Sequence, residues 1–100
     1  MSRKINEHDW KYLRSIQKEL IATLCLRINQ KSMTILQAQQ GSEHDKYQKM
    51  YKHITKSDNI VAECFNDWRR SNIWLKISYL RRHDLLKDEH LQNLTKETQD

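Results

Sequence analysis

Proline is absent from this chain and glycine occurs once, at Gly41. Hairpins, sandwiches and βα loops draw their tight turns from those two residues, so no sheet is expected. Two cysteines, Cys25 and Cys64, are too few for a disulfide framework. Both fall on or near apolar helical faces, where reduced, buried thiols are the expectation. The longest uncharged apolar run of the first half, residues 20–26, is far short of the roughly 20 residues that cross a bilayer. No membrane span is expected. Residues 1–9 include Arg3 and Lys4 but lead into no apolar stretch, so no secretory signal is read there and a cytoplasmic location is the expectation.

What is present is charge and helix-forming residues. The charged fraction is 31%, above the roughly 25% usual for globular chains, while the tryptophan, isoleucine and leucine content argues against disorder. A chain of 100 residues forms one domain, residues 1–100, and buries about two thirds of the surface of its unfolded form. The composition therefore predicts an all-α fold.

Helix one is expected over residues 7–39. Asn6 is a good N-cap, and Glu7 and Asp9 suit the positive end of the helix dipole. Trp10, Leu13, Ile16, Leu20, Ile21, Leu24 and Ile28 then recur at steps of three and four, the spacing of one helical face. Gly41 and Ser42 punctuate a turn at 40–42, and Ser42 with Asp45 resembles a capping box. From residue 43 onward Tyr47, Met50 and Ile54 share the phase of Val61, Phe65 and Trp68, so helix two is expected over 43–83. A kink is allowed at 57–59 or 71–72, but neither place holds a strong breaker, and a continuous helix is the reading. A short helix is expected over 88–94, with Thr95 and Thr98 capping a last turn.

Two helices of about 35 residues form an antiparallel hairpin about 50 Å long, with faces too wide for one partner. Dimerisation into a four-helix bundle would cover them. Trp10, Leu13, Leu20, Leu24, Phe65, Trp68, Ile73 and Ile77 are the expected core or dimer seam.

Functional chemistry is sparse. Five histidines are present, and Glu-His-Asp opens both long helices at 7–9 and 43–45, but adjacent side chains on a helix diverge and no ligand spacing recurs. No metal and no cofactor is expected. Glu63 and Asp67 stand four residues apart with Arg70 as an expected ion-pair partner, which reads as a solvated flank. No catalytic residues are read and the protein is expected not to be an enzyme. Residues 68–87 hold Arg69, Arg70, Lys76, Arg81, Arg82 and Lys87 against Asp84 alone, and six minus one equals the entire net charge of +5. Arg69, Arg70, Trp74, Lys76, Arg81 and Arg82 are therefore the candidate binding residues. Tryptophan and arginine are enriched at protein hot spots, so the expected function is a small regulatory or adaptor protein that binds another protein through helix two. The alternative is a nucleic-acid-binding regulator that uses the same basic segment.

Overall fold

A computed structural model describes residues 4–99, and every element among them is helical: α1 (Glu7–Gln37), α2 (Glu43–Phe65), α3 (Ile73–Arg82), α4 (Asp88–Leu91) and α5 (Lys96–Gln99). α1 starts where its caps place it, with the Asp9 amide donating to Asn6 Oδ1 at 2.8 Å. It ends two residues before the expected 39. Gly41 takes φ +89°, in the left-handed region open to a residue without Cβ. Ser42 and Asp45 then close a reciprocal capping box, at 3.1 and 3.0 Å.

α1 and α2 pack as the hairpin, but helix two does not run on to residue 83. It stops at Phe65, and the chain turns through residues 66–72 with Asp67 at φ 60°. Aspartate tolerates this conformation better than most residues, so the break needs neither proline nor glycine. Asn72 pins the turn: its side chain accepts from the Arg69 amide (2.9 Å) and donates to the Asp67 carbonyl (2.7 Å). The orphan carbonyls at the end of α2 also find donors. Trp68 Nε1 donates to Cys64 O at 2.7 Å, and Lys76 Nζ to Glu63 O at 2.9 Å. The break resets the helical phase, so that Ile73 and Leu80 of α3 face the same core as Phe65 and Trp68.

That core lies wholly at one end of the molecule. It gathers Ile5, Leu13, Ile16, Leu20 and Leu24 with Cys64, Phe65, Trp68, Ile73, Leu80, Leu85, Leu86 and Leu94. Asp84, at φ 55°, turns the chain after α3 so that Leu85 and Leu86 fold inward, and both of their amides bond Leu80 O. The expected helix over 88–94 is only α4, and a further turn, α5, follows it. α5 is fastened by the fully buried carboxylate of Asp9, which accepts from the Thr95 amide at 3.1 Å, the Thr95 hydroxyl at 2.7 Å, the Thr98 hydroxyl and Asn6 Nδ2 at 3.0 Å. Burial by itself would raise the Asp9 pKa. The hydroxyls of Thr98 and Thr95, the His8 ring and the Thr95 amide outweigh that and hold it well below the usual carboxylate range.

The fold thus has a body, where α3 to α5 close over one end of the hairpin, and an arm, where α1 and α2 project alone. The extents are 52 × 26 × 19 Å, and the radius of gyration is 16.8 Å, against roughly 13 Å for a compact domain of this length.

Candidate binding site on the helical arm

Of the basic segment only Lys76 is buried; Arg69, Arg70, Arg81, Arg82 and Lys87 are exposed, most of them with partners on the body's surface. Lys76 caps the end of α2, where a cation also complements the helix dipole. Its ammonium is engaged within the fold. Arg70 does not meet Asp67, as expected, but clamps Glu7 in a fork, Nε to Oε1 at 2.8 Å and Nη2 to Oε2 at 3.2 Å, with its guanidinium 5.0 Å from the Trp10 ring. Asp67 instead takes Arg69, at 2.9 Å. Arg81 donates to Leu86 O and to Asp88, and Arg82 lies over the Tyr79 ring. Trp74 is half-buried against the core. These side chains do not converge on one face. Glu63 and Asp67 do not form a carboxylate pair either, since Glu63 accepts from His83 Nε2 at 3.2 Å.

The residues read as core or dimer seam divide by burial. Leu13, Leu20, Leu24, Phe65, Trp68 and Ile73 are buried within the single chain, whereas Trp10 and Ile77 are half-buried at its edge.

The arm is different in kind. No residue from 25 to 56 is buried. Its seam is thin, with Ile28, Ile35, Ala38, Met50 and His53 half-buried, and one polar bond pins it: His53 Nε2 donates to Ile28 O at 3.0 Å, while the Ser57 hydroxyl donates to Nδ1 at 3.4 Å. Among the described residues, every exposed large apolar side chain except Leu75 lies here: Leu26, Met33, Leu36, Tyr47, Tyr51 and Ile54. At 100° per residue, Leu26, Met33 and Leu36 point away from the side of α1 that carries Leu13, Leu20 and Leu24. Tyr47, Tyr51 and Ile54 recur at steps of four and three along one flank of α2, next to a small cleft between Ile28 and Ile54.

The opposite flank is basic. Lys46, Lys49, Lys52 and Lys56 follow one another at steps of three, three and four, and Lys31 joins them from α1. Together they line an open cleft of about 570 Å³ floored by Thr34, Ile35 and Ala38. Only Lys46 has an acidic partner among the described residues, Glu43 at 3.5 Å. The arm's other acid, Asp45, is occupied by the capping box. This lysine row was legible as a helical stripe, but it alternates with tyrosines and aliphatic residues that read as core.

Five histidines occupy separate places: His8 beside Asp9, His44 stacked on Tyr47, His53 in the arm seam, His83 on Glu63, and His90 accepting the Lys87 amide. Compared with protein families, with curated proteins and with solved structures, the chain matches none of them.

Proposed function

We propose that the protein is a non-enzymatic helical adaptor whose arm is its working part, and that the apolar flank of the arm packs against the same flank of a second copy. The observation that carries this reading is the stretch 25–56, which has no buried residue yet exposes six large apolar side chains. Two helices of thirteen or fourteen residues each, without a core between them, are marginal in water. A second hairpin laid on the flank would supply what the single chain lacks and give four-helix packing.

Charge favours a second copy as the occupant. Two chains of net charge +5 approach most easily through a neutral face. Within residues 20–37 of α1 the only charges are Arg27 and Lys31. Arg27 is turned to the body, donating to His83 O and Asp84 O at 2.8 and 2.9 Å, and Lys31 lines the basic cleft. The remaining outer surface of that span is uncharged. Such pairing would leave the basic flank and the body open to a further partner, as an adaptor requires.

Light scattering coupled to size exclusion tests the reading with the wild type and with Leu36→Glu/Tyr51→Glu, two changes at exposed positions that leave the body untouched. The wild type is expected near 24.4 kDa, twice the chain mass of 12.2 kDa, and the variant near 12.2 kDa. A wild type that stays monomeric at tens of micromolar refutes the pairing.

A further inference from the structure

The basic flank of the arm supports an inference of its own, independent of whether the apolar flank pairs. We propose that the lysine-lined cleft is a phosphate-backbone site for double-stranded nucleic acid.

Charge comes first. None of the residues lining the cleft is acidic, and Lys31, Lys49, Lys52 and Lys56 form no ion pair among the described residues. Cations left without counter-charges along a concave surface attract a polyanion, and each phosphate they neutralise releases condensed counterions. Spacing comes second. Residues 46 to 56 cover about 15 Å of helix at 1.5 Å per residue, so the four lysines of α2 recur about every 5 Å. Each strand of a duplex carries one phosphate per about 3.4 Å of its axis, so the spacing of the lysines is of the same order as the charge density they would meet.

The residue types narrow the ligand further. The cleft holds lysines and no arginine, point charges instead of the planar fork that reads guanine edges, so contact with the backbone is expected and sequence readout is not. Single-strand sites add aromatic platforms on which bases stack. The only ring lining this cleft is that of His53, held in the seam by its bond to Ile28 O, while Tyr47 and Tyr51 line a separate cleft that shares only Lys52 with it. The intact duplex is therefore the better fit. An anionic membrane fits less well, because a surface-bound helix inserts apolar side chains beside its lysines, and of the lysines lining this cleft only Lys52 adjoins the tyrosines.

The test is fluorescence anisotropy of a labelled random-sequence duplex titrated with the full chain between about 50 and 200 mM salt. Lys49→Gln/Lys52→Gln/Lys56→Gln is compared with Arg69→Gln/Arg82→Gln, each shown to be folded by its melting curve. The wild type is expected to bind with a log–log salt slope of roughly −4, a loss of about 250-fold across that range. The lysine variant should bind at least about tenfold more weakly at the lowest salt, with a slope shallower by roughly 2.7, while the arginine variant should keep the wild-type slope to within about one. Absence of duplex binding at the lowest salt overturns the proposal, as does a lysine variant that binds like the wild type. Preference for a single strand of the same length overturns the duplex assignment. Equal or tighter lysine-dependent binding to phosphatidylserine vesicles moves the site to a membrane and overturns it as well.

Discussion

Replacing Asp9 by asparagine removes a charge from the centre of the body while leaving the side-chain shape almost unchanged. The carboxylate is fully buried and accepts from two threonine hydroxyls, a backbone amide and the Asn6 side chain. In Asp9→Asn one acceptor becomes an NH₂ group. Directed at Thr95 and Thr98, it meets the Asn6 amide donor; turned the other way, it meets the Thr95 N–H. At least one hydrogen bond to a charged acceptor is lost in either orientation and a second is weakened, each contributing about 1.5–3 kcal/mol. The expected cost is about 3 kcal/mol at neutral pH, a large share of the roughly 5–15 kcal/mol that holds a small domain. It should appear as a fall in Tm of about 12–24 °C. Urea unfolding followed by tryptophan fluorescence gives the free energy directly, and Thr98→Val completes a cycle whose coupling should exceed about 1 kcal/mol. The pH dependence has a definite sign. The folded-state pKa of Asp9 is depressed, so its stabilisation is fully present above the unfolded value near 4 and is lost as pH falls below it. The wild type should lose stability from about pH 4 downward more steeply than Asp9→Asn, and the two curves should converge. A variant within about 0.5 kcal/mol of wild type at pH 7, or a parallel acid profile, would refute the role given to this carboxylate.

Lys76→Met keeps most of the side-chain volume but leaves the carbonyl of Glu63 without its donor. A loss of about 1–2 kcal/mol in urea unfolding is expected, and a neutral or stabilised variant would mean that the cation does not hold the end of α2. Thiol labelling should separate the cysteines. Cys25 is exposed and should react at once, whereas Cys64 is fully buried and its thiol is pushed up by burial and then by the Glu63 carboxylate. One fast equivalent per chain is expected, the second only on unfolding; two fast equivalents would show that the body opens readily.

Local chemistry carried the parts of the fold that could be read from residues. The Asn6 cap, the Gly41 turn and the Ser42–Asp45 box each involve side chains within three residues of the backbone they satisfy, so their signals are local. In the sequence the break reads only as an allowed kink at 71–72. Its start at Phe65 was not legible there, because it depends on a backbone conformation at Asp67 and on the Trp68 indole and Lys76 ammonium reaching back to carbonyls of α2, none of which has a strong sequence signal. Asp9 read as a first-turn acid favoured by the dipole, since Thr95 and Thr98 lie 86 and 89 residues away along the chain. The arm shows a different limit. Periodicity says that Tyr47 and Ile54 share the phase of Phe65, but not that α3 covers only Phe65. Clustered charge shows the same limit. The arginines of 68–87 are near one another in sequence yet turn to separate partners, Arg69 to Asp67, Arg70 to Glu7, Arg81 to Asp88 and Arg82 to the Tyr79 ring, while the lysines of α2, which were not singled out from the sequence, share one flank.

Because no residue from 25 to 56 is buried and the links to the body are at the base of the arm, through Arg27 and Ile28, the length of the arm beyond them is decoupled from the stability of the body. Seven residues added to each helix would carry the Gly41 turn about 10.5 Å outward and rotate it by only about 20°. Matched insertions of that kind leave the Asp9 clasp and the break after Phe65 where they are. The reach of the arm can thus be varied as a ruler varies, by whole turns, while the end that folds stays the same.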